Sequence, residues 1–226
     1  MEYCSQRYGT KYGNIQAMIH CIGNSHANVF VDAHPANMFN TTYLNNFSST
    51  SIGPVIAYNF YDHHLNKVYD VLKKVKKSPN DYVMLIVGEV DCRWHLPKRI
   101  DSNKEEISVV VKECIDRFFK SVLELQSHGY KLVSWCGHPS TTAGHDDNPN
   151  EPVWGECLFR NKISIEWAKY LTEISNNNNI KSINITNDLI MENGITNMTY
   201  FNDYCHLNHN KIMPLVLNKC RELNIL

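Results

Sequence analysis

Short runs that are apolar at every position, set between longer stretches of helical periodicity, constrain this chain more than any other feature. Residues 82–87 read Tyr-Val-Met-Leu-Ile-Val, and 16–22, 131–136 and 180–186 are shorter or weaker versions of the same pattern. A strand that is apolar on both faces needs cover on both faces, which points to a parallel sheet between two helical layers. The intervening stretches supply that cover. In 65–76, Leu65, Val68, Val71, Leu72 and Val75 form one stripe with lysines opposite. Helical patterns also occupy 103–127, 157–174 and, in spite of Pro214, 209–223. The alternation predicts an α/β fold: a three-layer α/β/α sandwich around a mainly parallel sheet of about five strands. With 226 residues, no long linker and no repeat, residues 1–226 read as one domain.

In open α/β sheets, chemistry collects beyond the carboxyl ends of the strands. Three such ends are unusual here: Gly23-Asn24-Ser25-His26, Gly88-Glu89-Val90-Asp91, and the Gly137-His138 loop. Ser25 follows a glycine at a strand-to-helix turn, which suits either a helix cap or an exposed nucleophile. Near the other end, Asp203 and His206 stand three apart just before the last helix, a spacing that lets a carboxylate and an imidazole face the same side. Alone, each motif is equally well a capping residue or a solvated side chain.

Taken in order, these blocks resemble the SGNH/GDSL hydrolase superfamily. The serine block matches Gly23-Asn24-Ser25, with Asn24 where aspartate is usual, and the Asp/His block matches Asp203 and His206. The resemblance implies a flavodoxin-like fold and ester hydrolysis through an acyl-enzyme, with Ser25 as nucleophile, His206 as base and Asp203 orienting it. It further implies an oxyanion hole from the backbone N–H groups of Ser25 and Gly53. The third block departs: Val90 replaces the asparagine that supplies another donor. Arg93 is the candidate substitute, and equally a substrate ligand or a partner for Glu89 or Asp91. His26, Glu89, Asp91 and Arg93 are candidate substrate-binding residues. The string Gly88–His95 is similar to a branch linked with glycan modification, so the expected substrate is a small acyl group, acetyl first, on a sugar. A glycan O-acyltransferase with the same triad and a catalytically silent glycan-binding protein are the alternatives.

Several classes are disfavoured. Net charge is −1, from 22 basic and 23 acidic residues, with only a short lysine cluster, so neither nucleic acid nor a membrane surface is an expected partner. No run nears the roughly 18 apolar residues of a membrane span, and the first 14 residues lack the order of a signal peptide. Eight cysteines without a C-x-x-C pair read as core thiols in a cytoplasmic protein. Eleven histidines invite a metal, and Cys205, His206 and His209 lie close, with His63, His64, His138 and His145 in polar loops. Paired-ligand spacing is absent, so no metal is expected; no phosphate-cradling glycine pattern occurs, so no cofactor is. Segment 137–152 is long enough for a substrate-facing lid, and Trp94, Trp135 and Trp154 are candidates for sugar stacking or for the core.

Overall fold

The structure, a computed structural model, describes residues 17–32, 42–44, 46–75, 78–144 and 146–226. The amino-terminal segment, residue 16 of the expected first strand, residue 76 of the expected helix and His145 lie outside the described residues. In chain order the elements are β1 (Ile19–Gly23), a 3-10 turn (Ser25–Val31), β2 (Thr42–Leu44), β3 (Phe47–Ser51), α1 (Phe60–His63) and α2 (Leu65–Lys74). Next come β4 (Tyr82–Ile86), a π-type turn (Asp91–His95), α3 (Leu96–Asn103), α4 (Ile107–Ser127) and β5 (Lys131–Cys136). The chain closes with α5 (Cys157–Asn177), β6 (Lys181–Asn184) and α6 (His209–Glu222).

The sheet runs β2-β3-β1-β4-β5-β6. Every neighbouring pair is parallel except β2 with β3, which adds a short antiparallel edge. Without that edge, the five parallel strands lie in the flavodoxin-like order second, first, third, fourth, fifth. The sheet is thus the expected parallel one with an edge strand added. Side chains of β1 alternate between two cores: Ile22 packs with α2, α4 and α5, while Ile19 and Cys21 pack with the 3-10 turn and α6. That alternation is the three-layer sandwich seen from one strand. No described helix is long and apolar enough to cross a membrane.

Two local departures have physical causes. The expected helix 103–127 is α4, which begins four residues later at Ile107, because Asn103 ends α3 and Lys104 takes a left-handed conformation (φ 55°) that closes it. Strand β3, Phe-Ser-Ser-Thr-Ser, carries no apolar run yet is wholly buried. Two of its hydroxyls are paired: Ser48 Oγ lies 2.6 Å from His20 Nδ1, and Ser49 Oγ donates to Asn28 Oδ1 at 3.1 Å. Polar groups so satisfied can be buried without the usual penalty. At the end of β1 the fold admits only glycine, since a Cβ at Gly23 would stand 2.0 Å from the Ile86 carbonyl oxygen.

Candidate active site

The order reversal of the parallel strands falls between β1 and β4, and the segments leaving these two strands carry Ser25, His26, Glu89, Asp91 and Arg93. Asn24 caps the 3-10 turn, its side chain accepting from His26 N at 3.1 Å, so the aspartate-to-asparagine departure keeps the cap. Ser25 follows as the first turn residue. At the far end of the chain, residues 201–207 form a narrow loop closed by the Phe201–Leu207 bridge and by Asn202 N donating to His206 O at 2.8 Å. Within it Asp203 Oδ1 accepts from the backbone N–H groups of Cys205 (2.9 Å) and His206 (2.7 Å).

These two segments, 181 positions apart, meet. Ser25 Oγ lies 2.9 Å from His206 Nε2, and His206 Nδ1 lies 2.9 Å from Asp203 Oδ2. An ionised carboxylate can only accept, so the proton of the neutral ring sits on Nδ1, and Nε2 is left to accept from the Ser25 hydroxyl. Burial, and then the neighbouring His26 ring, push the His206 pKa below its ordinary value, which favours the neutral ring; Asp203 acts the other way. Burial would raise the Asp203 pKa, but the backbone N–H groups of His206 and Cys205 outweigh it and hold that carboxyl low. The chain of contacts is one in which a hydroxyl can pass its proton to a positioned base.

The remaining predicted residues are placed differently. Gly53 follows β3 with φ +94°, a conformation that favours glycine, and its N–H has no hydrogen-bond partner among the described residues. Asp91 is fully buried and accepts from Ala57 N at 2.8 Å and Tyr58 N at 3.4 Å, so it fixes the loop after β3 rather than facing a ligand. Arg93 is equally committed: Nε donates to Glu89 Oε1 at 2.6 Å and a terminal nitrogen to Pro152 O at 2.7 Å. It is a buried brace, not an open donor, and Val90 offers none either.

Glu89 and His26 are buried together, with His26 Nε2 3.0 Å from Glu89 Oε2. Burial would raise the Glu89 pKa, yet the His26 ring and then Arg93 hold it far below the usual carboxylate range. The His26 ring stacks on His206 at 4.7 Å between centroids and meets His138 edge-on at 4.3 Å. Burial, followed by the neighbouring His26 ring, pushes the His138 pKa down to about 3. His26, Glu89, Asp91 and Arg93 therefore stand behind the Ser25–His206 pair, not in front of it.

The expected lid is anchored at its base. The buried guanidinium of Arg160 donates to Ser140 Oγ (2.8 Å), Thr141 O (2.7 Å), Ala143 O (3.0 Å) and Gly155 O. Glu151 of the same loop reaches the Cys205 thiol at 2.9 Å. Sequence reading singled out neither Glu151 nor the His26–Glu89 pairing; the histidine beside the serine and the acid of Gly-Glu-Val-Asp were the only signals. Trp135 belongs to the core, whereas Trp94 and Trp154 form a half-buried pair 5.7 Å apart with Lys98 over both rings.

No model of a known protein family matches the chain, and no curated protein does. Solved structures do. A member of the lipolytic G-D-S-L family from Veillonella parvula is similar at 16% identity and TM-score 0.53, over 92% of this chain and 97% of that one. A GDSL-like lipase from Bacteroides thetaiotaomicron is similar at 14% identity and TM-score 0.57, over 92% and 88%. Est24, a carbohydrate acetylesterase from Sinorhizobium meliloti, is similar at 12% identity and TM-score 0.53, over 93% and 100%. The chain has the three-layer fold of the SGNH/GDSL hydrolases.

Proposed function

We propose that this chain is an SGNH-type serine esterase that removes a small acyl group, acetyl first, from a carbohydrate. Ser25 attacks the ester carbonyl, and His206 takes its proton and returns it to the leaving alcohol. Asp203 fixes the ring tautomer and stabilises the imidazolium, and water then releases the acid from the acyl-enzyme. The N–H groups of Ser25 and Gly53 stabilise the oxyanion. The observation that carries the reading is the pair of 2.9 Å contacts linking Ser25, His206 and Asp203 across the length of the chain. The carbohydrate part rests on the likeness to Est24 and on the Trp94–Trp154 pair, whose rings suit a sugar face. Seven described cysteines are free and buried, which supports a cytoplasmic location.

Val90 favours one other reading, a glycan-binding protein that lost catalysis with its third oxyanion donor. A fluorophosphonate probe separates the two. The esterase is labelled at Ser25, and Ser25→Ala abolishes labelling. Folded wild-type protein that takes up no probe would establish the silent binder. Acyl transfer to an added sugar, in place of acid release, would make the same residues a transferase.

A further inference from the structure

Around the triad's base, His206, gather two further donors that acyl transfer does not use. Ligand atoms of His26, Cys205 and His206 lie within 4.8 Å of one another, brought together from the turn after β1 and the loop before α6. Tetrahedral zinc, with bonds of about 2.05 Å to nitrogen and about 2.3 Å to sulfur, holds such atoms about 3.6 Å apart. Cys205 Sγ and His206 Nδ1 stand at 3.5 Å. Carboxylates surround the group: Glu151 on the Cys205 thiol, Glu89 on His26 and Asp203 on His206. The Arg93 guanidinium pairs with Glu89, so a dication would offset the charge of the other two carboxylates. His26 Nδ1 is buried with no hydrogen-bond partner among the described residues.

We propose that His26, Cys205 and His206 bind a borderline-soft divalent cation of the zinc type, and that its occupancy switches the triad off. A thiol with two imidazoles selects such an ion over magnesium or calcium. On binding, the Cys205 thiol releases its proton to solvent and forms a thiolate–metal bond, while the His206 ring proton moves from Nδ1 to Nε2 and Nδ1 gives the metal its lone pair. A neutral imidazole has one such pair, so metal-bound His206 cannot accept the Ser25 proton. This loss of activity rests on the proposed triad; the binding site does not.

Titration of the whole chain with Co2+ tests it. The expected result is one equivalent bound, with intense tetrahedral bands and a thiolate-to-cobalt charge-transfer band. Cys205→Ser should abolish that band, and His26→Ala should weaken cobalt binding more than about 100-fold, beyond the loss typical of an outer partner. Zn2+ should displace the cobalt and inhibit acid release, reversibly on chelation. A weak octahedral spectrum in the wild type overturns the proposal, as does a charge-transfer band that survives in Cys205→Ser. Should that variant fail to fold by circular dichroism, the wild-type spectrum and His26→Ala decide. A cobalt spectrum in a chain that no fluorophosphonate labels would remove the triad and leave the metal site standing.

Discussion

At the scale of single residues, the position that departs most from the SGNH/GDSL pattern the sequence resembles is Val90. Removing one oxyanion donor costs roughly 3 kcal/mol of transition-state stabilisation, a factor of about 100 in rate. The buried Arg93 is tied to Glu89 and Pro152, so it does not repair the loss. Val90→Asn is therefore expected to raise kcat on an aryl acetate by tenfold or more, with little change in KM, measured by steady-state kinetics. An unchanged or lower kcat in a folded variant would show that some other group already fills the role. Ser25, Asp203 and His206 were legible in the sequence because short blocks in the right order announce them. His26 was legible only as a type, whereas the pairing of Arg93 with Glu89 was one of the alternatives the sequence left open. Whether a histidine after a serine faces substrate or packs behind the base depends on the carboxylate it finds across the sheet, and spacing does not encode that.

At the scale of elements, the strands with continuous apolar runs were readable, and β3 was not. Ser48 and Ser49 can be buried because His20 and Asn28 supply partners, a tertiary fact absent from the local pattern. A similar tertiary clamp holds the entrances of β1 and β4. Asp81 accepts from Met18 N at 2.9 Å, from Ser78 N at 2.6 Å and from Ser78 Oγ at 3.0 Å, with His20 3.5 Å away. Burial would raise its pKa, but the backbone N–H groups of Ser78 and Met18 outweigh this and lower it. A carboxyl held low in the folded state adds stability that is full above the unfolded value of about 3.9 and is lost as pH falls through the folded value. Asp81→Asn should cost about 2 kcal/mol at pH 7, in line with losing charged hydrogen bonds. The deficit should shrink below about pH 4. Urea unfolding at pH 7 and pH 3 checks both statements, and a deficit that persists unchanged at pH 3 would refute the clamp.

At the scale of the molecule, residues from both ends of the chain build one face of the sandwich. The 3-10 turn holding Ser25 and the helix after His206 share a core through Phe30, Ile212 and Val216. They are also tied directly, His209 Nδ1 lying 2.6 Å from the Val29 carbonyl oxygen. The proposed nucleophile and base are thus mounted on two segments that touch below the site as well as within it. A local opening that frees one should free the other. Amide hydrogen exchange in 26–31 and 209–216 is expected to share one opening free energy and to slow together when a fluorophosphonate occupies Ser25. Separate exchange rates for the two segments would mean that each breathes alone. If they do move as one, the proton path from hydroxyl to ring survives ordinary thermal motion intact and is lost only when that whole corner of the protein comes apart.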